Sequence, residues 1–238
     1  MAHRRPFTAG NRRRRRRRLA RRFEILRAAG REFRARGFFE TGMRDIAAAS
    51  DLSPANLYNY FRGKHEILFF CQDTALDHLL GALQKTRRLR ATSAQKLHAT
   101  VVAHLSCVLD EVEGSAAHFL ASALPRPMQE RIFRKRDRYE EGLRQLIAAG
   151  VRSGEFLPCD TALAARAILG ALNWSVLWFR SDGALSVSEI ASGFAGYLIR
   201  GLLAKPTAAA TTKSKRTPLR RAARTARGMG RRRERGAL

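Results

Sequence analysis

Three observations predict an all-α fold. Apolar residues recur at helical steps through the middle of the chain, as in Leu97, Val101, Leu105, Val108 and Val112. No segment there sustains the period-two alternation of a half-buried strand, and no Asn-Gly or Asp-Gly pair joins two such alternating runs. Residues that cap helices stand where apolar runs begin, namely Thr92, Asp160 and Ser186. The expected architecture is a three-helix unit over residues 19–64 followed by a helical bundle over residues 65–204. Residues 1–18 and 205–238 are expected to be disordered basic arms.

The elements follow in order. Leu19, Phe23, Leu26, Gly30 and Phe33 step by four and three, so a first helix should bury that stripe and stop near Gly37. "TSAQ", Thr92 to Gln95, forms a capping box for the helix of Leu97 to Val112, which Gly114 closes. "LPRP" breaks the chain before a helix containing Met128 to about Arg152. "SGEFLPCD" reads as a loop whose Asp160 caps a helix at 161–179 that is apolar nearly all round, which implies burial on more than one side. After "RSDG", Ser186 and Glu189 box the start of a last helix with Val187, Ile190, Phe194, Tyr197 and Gly201 as its stripe. Gly193 and Gly196 are poor helix formers there; close approach of another helix and simple tolerance explain them equally well.

Residues 43–61, "MRDIAAASDLSPANLYNYF", have the spacing of a helix-turn-helix. Ile46 and Ala47 share a face, and Ala47 is small where two helices cross. Asp51 and Leu52 supply a turn and a plug, and Leu57 anchors the second helix ten residues after Ala47. Ser53 is an N-cap, and Pro54 stands at the first helical position, where its missing N–H costs nothing. Leu57 and Phe61 then face inward and leave Ala55, Asn56, Tyr58, Asn59 and Tyr60 pointing out. Asparagine pairs bidentately with adenine, and an alanine methyl meets a thymine methyl. Tyrosine hydroxyls, helix N-terminal amides and Lys64 suit phosphate oxygens. The plain alternative is that the tyrosine rings cover core and the asparagines are ordinary surface.

Charge points the same way. The formal net charge is +26, yet residues 1–22 hold 11 Lys/Arg with no acid, and residues 205–238 hold 12 with Glu234 alone opposing them. The 182 residues between carry only +4 of the total. Arms so charged repel themselves and attract phosphate, although tails in an Arg-rich chain also become basic without a dedicated role. With 45% hydrophobic residues the middle can build a core, and no run of ~18 apolar residues indicates a membrane helix. The N-terminus lacks the apolar region of a secretory signal, so a cytoplasmic location is expected. Cys71, Cys107 and Cys159 are odd in number and far apart, which fits small core residues in a reducing compartment.

No enzyme chemistry emerges: there is no GxSxG elbow, P-loop or dinucleotide fingerprint, and no catalytic residue is assigned. Asp73 and Asp77 share a helix face and read as surface charge. The histidines include no i, i+4 pair, so no metal site is expected.

"FETGMRDIAAASDLSPANLYNYFRGKHEILF" resembles the DNA-binding domain of the TetR (tetracycline-repressor-like) family of bacterial regulators. The resemblance covers about residues 21–70 and centres on "LYNYFRGKHEIL". It implies a transcriptional regulator, most often a repressor, that binds a palindromic operator in double-stranded DNA as a homodimer. A small ligand entering the C-terminal bundle would release it. By that resemblance Thr41 and Arg44 approach the DNA backbone, Tyr60 and Lys64 hold phosphates, and residues 54–59 read bases. The chain departs from the family pattern at Gly42, often Ser or Thr, and at Asp51, commonly glycine. Asp tolerates the left-handed conformation that glycine would adopt there. The rival function is an architectural DNA-binding protein dominated by its arms.

Ile168 to Leu203 resembles the last two helices of a subgroup linked to fatty-acid, steroid and other acyl-CoA metabolism. The resemblance implies a four-helix dimer interface and a small hydrophobic effector such as an acyl-CoA, with no other cofactor. Candidate ligand contacts are His104, Phe119, Trp174, Trp178, Arg131 and Arg134. Trp174 and Trp178 share a face and fit core or dimer seam as well as a pocket. Arg131, Arg134, Lys135 and Arg138 suit CoA phosphates, or form a solvated face balanced by Glu130, Asp137, Glu140 and Glu141. His104 suits a ligand hydrogen bond or a satisfied core position.

Overall fold

The computed structural model describes residues 9–109, 121–180 and 182–204. They form helices α1 (Ala9–Arg36), α2 (Met43–Ala49), α3 (Pro54–Tyr58), α4 (Lys64–Arg87), α5 (Ser93–Leu109), α6 (Arg126–Arg152), α7 (Thr161–Trp178) and α8 (Val187–Arg200). Among the described residues the only β-type pairing is an isolated antiparallel bridge between Phe156 and Leu203. The fold is all-α, as the periodicity predicts.

Most helix starts are where the caps place them. Ser53 Oγ accepts from the Asn56 amide, and Asp160 Oδ1 accepts from those of Ala162 and Leu163. Ser186 and Glu189 make a reciprocal box, as do Thr92 and Gln95. Glu155, from the loop after α6, also accepts from the amides of Ser93 and Ala94, and so caps α5 from a distance.

One start differs. α1 begins at Ala9, so residues 9–18 are helical where a disordered arm is expected. Arginine is a good helix former, and lengthening an existing helix adds a hydrogen bond per residue without a new nucleation cost. Leu19 is accordingly outside the core at 46% exposure, and the buried stripe of α1 is Ile25, Leu26, Ala28, Ala29 and Phe33. Gly37, with φ +85, ends the helix in the left-handed conformation.

α4 joins the two parts of the molecule. Its Ile67, Leu68, Leu76, Leu79 and Leu83 belong to one continuous buried cluster that also holds Ile25, Ile46, Leu57 and Phe61 at one end of the sequence and Leu97, Val101 and Leu143 further on. Within the bundle α4 packs on α5 and α6, α5 packs on α8, and α6 packs on α7. Leu97, Val101, Leu105 and Val108 are all buried; Val112 and Gly114 lie outside the described residues.

The last two helices are buried on one side only. α7 buries Ala165, Ile168, Leu172 and Ser175 but leaves Leu163, Trp174, Leu177 and Trp178 exposed. α8 buries Ile190, Ala191, Ala195 and Ile199, so Tyr197, expected on the inner stripe, is 73% exposed instead. A Cβ added to Gly193 or Gly196 meets only side chains of α8 itself. Cys71 is buried as expected, whereas Cys159 is exposed in the loop before α7.

Candidate nucleic-acid interface

α2 and α3 are held together by a dry contact and a tight turn. Ile46, Ala47, Leu57 and Phe61 are at most 1% exposed. The Leu52 amide donates to the Ala47 carbonyl at 2.9 Å, and the Ser50 hydroxyl donates back to Ile46 at 2.6 Å. Asp51 occupies the left-handed conformation, φ 52, that the spacing requires of a glycine substitute. Gly42 has no side chain with which to cap α2, but its amide donates to the Asp45 carboxylate at 2.8 Å. Half of a capping box therefore survives the departure from Ser or Thr.

This frame sets α3 at the surface. Ser53, Pro54, Ala55, Asn56, Tyr58 and Asn59 are exposed, Tyr60 is half-buried against the core, and Arg44 is exposed on α2. Tyr58 is 54% exposed although its ring is large and apolar. The same short segment thus offers amide, methyl and phenol groups together.

Two expected contacts lie elsewhere. Thr41 is fully buried, and its hydroxyl lies within hydrogen-bond reach of the Gly37 carbonyl at 2.7 Å and the Glu32 carbonyl at 3.3 Å. It ties α1 to the loop before α2 and is not presented to a ligand. Lys64 turns its ammonium inward to the carbonyls of Phe38, Phe39 and Thr41, at 2.9, 2.8 and 3.1 Å. With a carbonyl for each of its three protons, and its charge over the Phe38 ring, Lys64 pins the 37–42 loop.

Three arginines of α1 make contacts that the Arg-rich composition concealed. Arg18 donates to the Asn59 carbonyl at 3.0 Å, and Arg21 to the Ser50 carbonyl at 3.0 Å. Arg22 lies over the rings of Phe61 and Phe70, at 4.4 and 4.2 Å, and pairs with Glu66 at 3.3 Å. The signal in the sequence is their spacing, since 18, 21, 22 and the buried Ile25 share one helix face.

In the bundle, His104 is buried between α6 and α7. Its Nδ1 is 3.2 Å from the Tyr139 hydroxyl and its Nε2 is 3.2 Å from Asn173 Oδ1. The partners assign a neutral ring: Nε2–H donates to Asn173, and Nδ1 accepts from Tyr139. Burial pushes the imidazole down to about 4 against a smaller opposing effect of Asn173, and burial pushes the Tyr139 phenol up. His104 is a satisfied core group; a polar Asn173 inside the apolar run of α7 was the available sign of it.

Two members of the basic cluster on α6 are paired with acids of α4. Lys135 holds Asp73 at 2.6 Å and Asp77 at 2.7 Å, and Arg131 pairs with Asp73 at 3.2 Å while lying over Phe69. Asp73 is therefore not free surface charge; its side chain is 15% exposed in the α4–α6 seam. Arg134 is exposed. Trp174 and Trp178 stand on the bare face of α7, and Trp178 stacks on Phe194 of α8 at 6.0 Å. Phe119 lies outside the described residues.

A family model described as "Bacterial regulatory proteins, tetR family" matches residues 25–69, and one described as "Tetracyclin repressor-like, C-terminal domain" matches residues 90–202. A solved TetR-family regulator, PfmR of Thermus thermophilus, is 32% identical with a TM-score of 0.67, covering 74% of this chain and 97% of its own. The chain belongs to the TetR family. It is similar to the HTH-type transcriptional repressor KstR2 of Rhodococcus jostii, at 27% identity over 76% of this chain and 91% of that protein. It is also similar to AibR, solved with isovaleryl coenzyme A and operator DNA, at 25% identity and a TM-score of 0.65 over 75% and 98% of the two chains. As a TetR-family member the protein is a DNA-binding transcriptional regulator with its helix-turn-helix at α2 and α3. Among the described residues, no helix is long and apolar enough to cross a membrane, and no group of three metal-binding side chains forms.

Proposed function

We propose that the protein is a ligand-responsive repressor that grips a palindromic operator as a homodimer. The observation that carries this is the exposed surface of α3, where Ala55, Asn56 and Asn59 flank Tyr58 above a fully buried Leu57. Ala55, Asn56 and Asn59 read base edges in the major groove, while Arg44, Tyr58 and Tyr60 hold phosphates. Thr41 and Lys64 act behind them by fixing the loop on which α2 rests.

The homodimer is supported by the apolar face that α7 and α8 leave bare. Trp174, Leu177, Trp178 and Tyr197 are 61%, 56%, 46% and 73% exposed in the single chain. Large rings in contact with water favour a second copy of the same surface. Two copies would set their α3 helices about 34 Å apart, one turn of duplex.

The effector reading draws on AibR, whose solved complex holds isovaleryl coenzyme A and operator DNA. Repression follows the named KstR2 relative. Titrating the protein–operator complex with acyl-CoAs of increasing chain length tests this. Release at one range of lengths is expected, and operator binding indifferent to every acyl-CoA contradicts the effector assignment.

A further inference from the structure

α1 continues beyond the helix-turn-helix it packs on, and the projecting part is mostly arginine. Residues 10–20 are exposed, and Arg12 to Arg18 are seven arginines in a row inside the helix. The base of the projection is clasped at three points. Arg18 takes the carbonyl of Asn59, the residue that ends α3, and Arg21 takes that of Ser50, which ends α2. Arg22 is laid on Phe61 and Phe70. The direction of the projection is therefore tied to the recognition helix.

Helical geometry then sorts the arginines. Arg14 and Arg15 stand four and three residues before Arg18, on its face and about one turn, ~5 Å, further out. Arg13 and Arg16 lie on the opposite face. Arginines four apart repel one another, so a run of them within one helix is relieved by anions at regular spacing. A duplex backbone beside α3 supplies such anions.

We propose that Arg14, Arg15 and Arg18 form a phosphate-gripping face of α1, which holds the DNA backbone next to the groove entered by α3. The inference rests on α3 entering a major groove. It replaces a diffuse cationic arm with an oriented one, and it assigns contacts outside the bases that α3 reads. Duplex DNA is the occupant because the face adjoins Asn59 and shares its side of the molecule.

The test compares two double variants of the full-length protein on a short random-sequence duplex, with fluorescence anisotropy across a salt series. Arg14→Gln with Arg15→Gln and Arg13→Gln with Arg16→Gln remove equal charge, and Gln has nearly the helix propensity of Arg. The first pair should weaken binding roughly tenfold and lower the salt slope by about 1.8; the second should stay within about twofold. Equal losses from both pairs, or no loss from either, overturn the proposal. Selection of a preferred sequence by the unaltered protein reads the role of α3 separately, so a failure there is distinguishable from a failure here.

Discussion

The Lys64 ammonium donates to the carbonyl oxygen of Phe38 at 2.9 Å, across 26 residues of chain. That bond, with those to Phe39 and Thr41, makes the lysine a strut between α4 and the loop that enters α2. Lys64→Met should therefore lower stability by about 1–3 kcal/mol, as expected for charge-assisted bonds in a half-buried site. Urea unfolding checks this. Unchanged stability together with weakened DNA binding would instead return Lys64 to the phosphates.

Asn56→Ala and Asn59→Ala address the opposite property. Each removes an exposed amide, and the Arg18 bond to residue 59 uses the backbone carbonyl, which survives. Each should cost roughly 1–3 kcal/mol of discrimination between the operator and a mismatched duplex, with little change on random DNA. Competition binding measures both quantities.

Gly150 and Phe156 make a third, purely structural forecast. A Cβ on Gly150 would lie 2.1 Å from the ring of Phe156, which is 1% exposed and hemmed in by the core. At Gly142 the obstacle is the flexible end of Leu83, at 2.2 Å. Gly150→Ala should cost about 1–3 kcal/mol through overpacking, and Gly142→Ala less. Gly81, with nothing within 4 Å, is the control, and Gly81→Ala should stabilise α4 by about 0.5–1 kcal/mol. Thermal melts rank the three.

His104 gives the pH dependence a sign. Its folded value is depressed to about 4 from 6.5, so between those pH values the unfolded chain binds more protons and stability rises with pH. The contribution is complete above about pH 6.5 and is lost as pH falls toward 4, by up to ~3 kcal/mol. His104→Gln should flatten that part of the curve relative to the unaltered protein. Parallel curves for the two proteins would show that the imidazole does not govern acid unfolding.

Features set by neighbours in sequence were legible before the structure. Ser53, Asp160 and the Ser186–Glu189 box act within three residues of themselves, and Asp51 follows from a turn with one short solution. The surface of α3 was legible for the same reason, because Leu57 and Phe61 fix which side is inward. What escaped depends on distant backbone. Thr41 and Lys64 carry the right chemistry for phosphate, and only the path of the 37–42 loop reveals carbonyls within their reach. Asp73 looked like surface until Lys135 arrived from α6. Tyr197 sits at an apolar spacing, but α8, which packs on α5, buries Ile190, Ala191 and Ala195 and leaves the tyrosine ring outside.

On the reading proposed above, α3 addresses the protein to one palindromic sequence. Selecting bound duplexes from a random pool with the full-length protein measures this directly. An enriched inverted repeat is expected, its half-site centres about one helical turn apart. Asn56→Ala with Asn59→Ala should abolish the enrichment while binding to bulk DNA persists. Tight binding with no enriched motif would contradict it and leave a protein held on DNA by its arginines alone.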